Sequence, residues 1–128
     1  MRLLLDSQAF LWFVTDDPRL STTARAAIEN AGNERLLSVA SVWEMAIKHS
    51  IGKLALTDPF NQFIRNESAT NCIEILAIDL DDVLAVATLP LHHRDPFDRL
   101  LIAQSTARKI PIVSSDQAMD QYSAKRIW

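Results

Sequence analysis

Arg2-Leu3-Leu4-Leu5-Asp6-Ser7 is the stretch on which the fold turns. Three consecutive leucines do not alternate with polar residues. A strand written this way is buried on both faces, and that is the signature of a parallel sheet covered by helices on each side. The run stops at an acid, and the following Ser7–Val14 has helical character, closed by Asp16-Asp17-Pro18. A strand passing directly into a helix is half of a β-α-β unit.

The pattern repeats outward. Ser21–Asn30 reads as a helix capped by Ser21 or Thr22, and Gly32-Asn33 as a turn. Leu36–Val39 is the next apolar strand. Ser41–Ser50 follows as a helix, with Gly52 where a C-cap belongs. Pro59–Glu67 places Phe60, Phe63 and Ile64 at helical spacing. Ile73–Ile78 is a strand, and Asp79 caps a helix to about Thr88 whose stripe is Val83, Leu84 and Ala87. After the polar loop Pro90–Asp95 comes a long helix, Pro96–Lys109, then a strand at Ile110–Val113. A short helix to Tyr122 and an edge strand, Lys125–Trp128, complete the pass. The expected fold is α/β: one domain over residues 1–128, with a mainly parallel central sheet and helices on both faces.

Composition narrows the function. With 128 residues the chain matches a common single-domain size. Its longest early apolar run, Ala9–Val14, is far below the ~20 residues of a membrane span. Asp6 interrupts what would be a signal peptide's apolar region. Cys72 is the sole cysteine, which excludes an intrachain disulfide and fits a reducing cytoplasm. Thirteen basic against sixteen acidic residues give a net charge of −3. Proteins that coat nucleic acid through phosphate contacts are usually basic. A chain of this charge that acts on nucleic acid needs local neutralisation of its acids, as by a metal ion.

Asp6 and Asp116 each end a buried strand, and Glu44 and Asp98 are expected in the first turn of a helix. In a parallel sheet all four fall at the carboxyl edge, where such folds bind ligands. Two carboxylates ~4 Å apart repel by about 4 kcal/mol at an effective dielectric of 20. Mg²⁺ or Mn²⁺, with their preference for oxygen, would remove that cost. Each acid also has a purely local reading. Asp6 and Asp116 can cap the helices that follow them. Ser41-Val42-Trp43-Glu44 matches a capping box. Asp98 suits the positive end of a helix dipole and neighbours Arg99.

Asp16, Asp17, Asp81 and Asp82 read as turn, cap or surface residues. Asp95 precedes Pro96 and can cap the long helix; three residues from Asp98, it can also approach the site and is the alternative to Asp98 there, with Asp98 preferred because it sits within the helix's first turn. Asp120 is a candidate auxiliary ligand. His49, His92 and His93 read as solvated partners rather than catalysts. A zinc site is disfavoured, since Cys72 is remote and no helical His pair exists. No Gly-rich phosphate loop and no nucleophilic triad occur. Ser7 and Ser115 can orient a water or ligand, and Arg94, Arg99, Lys48 and Lys53 can hold flanking phosphates. Trp12, Phe13, Phe60 and Phe63 are either core or the lining of a groove.

The segments Leu3–Ser7, Ser38–Glu44, His93–Gln104 and Ile112–Asp116, in this order, resemble the PIN-domain ribonucleases, in particular the VapC-type toxins of bacterial toxin–antitoxin pairs. His93-Arg94-Asp95-Pro96-Phe97-Asp98-Arg99 and Trp43-Glu44 are the more specific matches. The family often has Thr where this chain has Ser7 and Ser115, a change that keeps the hydroxyl. The resemblance implies a cytoplasmic RNA-cleaving enzyme using one or two Mg²⁺ or Mn²⁺ ions held by Asp6, Glu44, Asp98 and Asp116. It also implies an antitoxin partner, whose peptide lies across helices and the active-site edge, and a homodimer. The competing readings are a receiver-like Mg²⁺-binding signalling module and a metal-dependent phosphatase of another fold. A receiver usually pairs two acids just after the first strand and places a Lys after the last. Here Ser7 and Gln8 follow Asp6, and the later strand ends in Asp116.

Overall fold

The computed structural model describes residues 1–128. Five strands form one sheet: β1 (Arg2–Leu5), β2 (Glu34–Ser38), β3 (Ile73–Leu76), β4 (Ile112–Val113) and β5 (Arg126–Ile127). Their spatial order is β3-β2-β1-β4-β5, and every neighbouring pair is parallel. The expected α/β architecture is what forms. β1 is central, with Leu4 opposite Leu36 on one side and Ile112 on the other.

The leucine run explains the layers. Successive side chains of a strand point to opposite faces. Leu3 and Leu5 enter one core with Leu37, Ile73 and Val113, under α1 (Ser7–Val14), α2 (Thr22–Glu29) and α4 (Phe60–Thr70). Leu4 enters the other with Leu36 and Ile112, under α6 (Pro96–Arg108). All three leucines are fully buried. Phe63 belongs to the first core and packs against Phe10 at 6.2 Å between ring centroids. Trp12, Phe13 and Phe60 pack against the same core, with Trp12 against Trp128. These aromatics are therefore mainly core.

Three departures from expectation bear on the site and its supports: the end of β2, the start of α3 and the facing of α5. β2 ends at Ser38, because the Ser38 hydroxyl accepts the Ala40 N–H at 3.1 Å and starts α3 (Val39–Ser50) there. Val39 is helical, and Ser41 lies inside the helix. The expected box between Ser41 and Glu44 therefore does not form, and Glu44 stands in the second turn rather than the first. Gly52, φ +78°, follows the helix end as expected.

The third departure is α5 (Leu80–Val86). Its predicted apolar stripe faces outward, with Val83 51% and Leu84 57% exposed. Asp82, expected at the surface or as a simple cap, is 3% exposed instead. Its carboxylate accepts the Asp79 N–H, the Gln104 amide and both terminal nitrogens of Arg108, the latter at 2.8 and 3.1 Å. Burial by itself would raise its pKa, but Arg108 and the Asp79 N–H hold it below the usual carboxylate value. A polar anchor to α6 thus overrides the helix's own amphipathicity.

No helix is long and apolar enough to cross a membrane. Leu36→Ala is expected to cost about 2–5 kcal/mol in chemical denaturation, as a buried leucine truncation does. Leu84→Ala should stay within about 0.5 kcal/mol. Equal losses would place α5's stripe back in the core.

Candidate metal centre

The sheet order reverses between β1 and β4, and a cleft opens there at the carboxyl ends of the strands. It measures about 580 Å³ and is lined by Asp6, Glu44, Asp95, Asp98 and Asp116, with Ser7, Ser115, Lys48 and Lys53 around them. Four elements converge. β1 delivers Asp6, β4 leads to Asp116, α3 presents Glu44 from its second turn, and α6 presents Asp98 from its first. The four acids selected from the sequence share one surface.

The local and the cleft readings of these acids turn out to be compatible. Asp6 caps α1 through Oδ1, which accepts the Ala9 N–H at 2.7 Å. Asp116 accepts the Ala118 N–H with Oδ1 at 3.0 Å, while its Oδ2 meets His93 Nε2 at 2.6 Å. Asp95 caps α6, accepting the N–H groups of Phe97 and Asp98 through Oδ1. Capping uses one oxygen and fixes the direction of the other. Glu44, released from any capping box, accepts the Ser7 hydroxyl at 2.5 Å, and its other oxygen lies 3.7 Å from Lys48 Nζ. With Lys48 half exposed and 3.7 Å away, that pair contributes little.

His93 is the residue sequence reasoning undervalued. Its Nε2 lies 2.6 Å from Asp116 and 3.2 Å from Asp98, and donor atoms of the three residues lie within 4.8 Å of one another. Its place in the His-Arg-Asp-Pro-Phe-Asp block was the available signal. Spacing could not reveal it, because Asp116 is 23 residues away. The other histidines lie elsewhere. His49 Nδ1 is 2.9 Å from the Leu54 carbonyl, and the His92 ring packs against Tyr122.

Two expectations are corrected. Asp120 does not line the cleft. Arg126 binds both its oxygens, at 2.8 and 2.9 Å, which removes it as an auxiliary ligand. Arg99 does not reach for phosphate. Its guanidinium donates to the carbonyls of Val86, Leu89, Pro90 and His93, and so ties the loop before α6 to the body. Lys48 and Lys53 do line the cleft, and Arg94 is exposed.

Charge crowding appears in the titration of the site. Burial is the largest influence on Asp6 and raises its pKa from 3.8 to about 6. The Ser114 hydroxyl and Ala9 N–H oppose the rise, while Glu44 and Asp116 add to it. Asp98 rises to about 7, again chiefly by burial, with Asp95, Glu44 and Asp6 adding repulsion and His93 opposing it. An oxygen-rich set whose ionised form is penalised by burial and mutual repulsion suits a hard divalent cation, which relieves both penalties.

The PIN domain family matches residues 3–125. Among solved structures the chain is similar to one from VapBC2 of Rickettsia felis, bound to a promoter DNA fragment (TM-score 0.71, 11% identity, 98% of this chain and 97% of that one). It is also similar to one from DNA-bound VapBC of Salmonella typhimurium (0.70, 13%, 98% and 96%). A third is VapBC-5 of Mycobacterium tuberculosis, from the VapBC family of toxin–antitoxin systems (0.59, 18%, 98% and 94%). At these identities the likeness establishes the fold. No curated protein matches the chain.

The raised pKa values fix a pH dependence. Both groups bind protons more tightly folded than unfolded. Their contribution to stability is therefore complete below pH 3.8 and is lost as pH rises through about 6 and 7. In chelator, the melting temperature of the wild type is expected to lose this contribution between about pH 4 and pH 8. Asp98→Asn should flatten the decline. An identical profile in the variant would show that Asp98 does not carry it.

Proposed function

The chain belongs to the PIN domain family, and from that membership and the chemistry of the cleft we propose a divalent-metal-dependent ribonuclease, the toxin of a toxin–antitoxin pair. The observation that carries the proposal is the convergence of Asp6, Glu44, Asp98 and Asp116 on one cleft at the sheet's reversal point. In this reading the four carboxylates hold Mg²⁺ or Mn²⁺. Such an ion would supply Lewis-acid chemistry, activating water and polarising a phosphoryl oxygen.

The protein's own groups do the rest. Caps on α1 and after β4 fix the directions of Asp6 and Asp116 before substrate arrives, and Asp95, capping α6, fixes the turn that carries Asp98. Ser7 orients Glu44. Lys48 and Lys53 sit on the cleft and offer the phosphate chain two cations, despite the chain's net charge of −3.

RNA as substrate and an antitoxin as partner follow from the family resemblance. The fold shared with VapBC structures supports the second. A homodimer belongs to the same reading. Trp43, 57% exposed and edge-on to Phe97 at 5.0 Å, is apolar surface that a second copy would cover. The reading places the protein in the cytoplasm, where its RNA is.

Asp6→Asn and Asp98→Asn are near-isosteric, and Asn still caps helices. Each is expected to lower Mg²⁺- or Mn²⁺-dependent RNA cleavage by more than about 100-fold, beyond the usual effect of outer-shell changes. Asp120→Asn should leave cleavage unchanged. Full activity in Asp98→Asn would remove that residue from the site.

A further inference from the structure

His93 stands where a third ligand could stand, yet its hydrogen bonds give it a different task. The Asp95 N–H donates to His93 Nδ1 at 3.1 Å. A backbone N–H can only donate, so Nδ1 presents its lone pair and the ring proton resides on Nε2. A nitrogen that carries a proton cannot ligate a metal. It can donate: Asp116 Oδ2 accepts at 2.6 Å, and Asp98 Oδ2 lies 3.2 Å from the same nitrogen.

We infer that His93 is a positioning residue of the metal centre: its Nε2–H, in a tautomer fixed by the Asp95 backbone, draws the carboxylates of Asp98 and Asp116 together so that their remaining lone pairs face the cation. This rests on the metal-dependent reading above. The role suits a neutral ring. A neutral donor brings two carboxylates together without cancelling their charge, so both negative charges stay available to the ion. A second cation in that place would compete with the metal.

The surroundings hold the ring in place. The side chain is 14% exposed. The Tyr122 hydroxyl accepts the N–H groups of His92 and His93, at 3.1 and 2.8 Å, and donates to the Pro90 carbonyl at 2.7 Å. Arg99 holds the Pro90 and His93 carbonyls from the other side. Asp95, which sets the tautomer, also caps α6 and so fixes the turn that carries Asp98. One residue thus couples the direction of a ligand to the proton position of the group that orients it.

Nitrogen-15 NMR of the histidine rings locates the proton directly. The proposal expects a protonated Nε2 and a bare Nδ1, both in chelator and with Mg²⁺. A proton on Nδ1 would break the assigned tautomer, and loss of the Nε2 proton when Mg²⁺ is added would make His93 a ligand; either overturns it. Calorimetric titration with Mg²⁺ or Mn²⁺ gives the second readout. His93→Ala should weaken binding by about 10–100-fold, the range for partners that orient ligands. His93→Gln, whose amide can donate from the Nε2 position, should recover most of it. Unchanged affinity in His93→Ala, with wild-type binding intact, overturns this inference and leaves the metal reading standing. Absence of metal binding in the folded wild type overturns both.

Discussion

Holding carboxylates buried and close together is the constraint around which this molecule is built. A parallel sheet brings the ends of β1 and β4 side by side at the point where strand order reverses, and here both lead to acids. Helices α3 and α6 add Glu44 and Asp98 to the same cleft. The caps made by Asp6 and Asp116 help the helices start, but ionised together in one cleft the carboxylates repel one another. Burial above all, with repulsion from neighbouring acids, disfavours the ionised forms and pushes Asp98 up to about 7 and Asp6 up to about 6. The rest of the fold must hold this arrangement against its tendency to separate. The two cores on either face of the leucine strand supply that rigidity.

The acids are held by the same groups that start the helices. Asp6, Asp95 and Asp116 each give one oxygen to backbone N–H groups. A carboxylate tied in this way loses rotational freedom before any ligand arrives, the condition a precise site needs. Local and functional explanations of an acid at a helix start are therefore one explanation. The cap aims the ligand.

A second layer holds the loop between α5 and α6. Arg99 binds four backbone carbonyls, and the Tyr122 hydroxyl takes two N–H groups. A loop without regular structure thereby has its polar groups satisfied and its His93 ring held against two acids. On the outer side, Arg108 and the buried Asp82 lock α5 to α6. Removing one partner from such a pair leaves an unpaired buried charge, so the contact specifies one packing of α5 more than it adds stability.

By itself the sequence determined the parallel α/β fold, the strand positions and the four acids that share the cleft. These follow from short-range rules. Three leucines in a row fit a strand buried on both faces, and an acid at the strand end falls at the carboxyl edge of any parallel sheet. Tertiary structure decided what depends on distant partners. Ser38 rather than Ser41 starts α3, because two serines three residues apart are equivalent until strand pairing fixes where β2 ends. Asp120 turns away because Arg126 of the neighbouring strand binds it. Asp82 is buried because α6 brings Arg108, 26 residues on. His93 joins the acids because its partner Asp116 arrives just after β4, 23 residues on. Hydrogen bonds between residues far apart in the chain leave no periodicity behind, and only the folded chain brings their ends together.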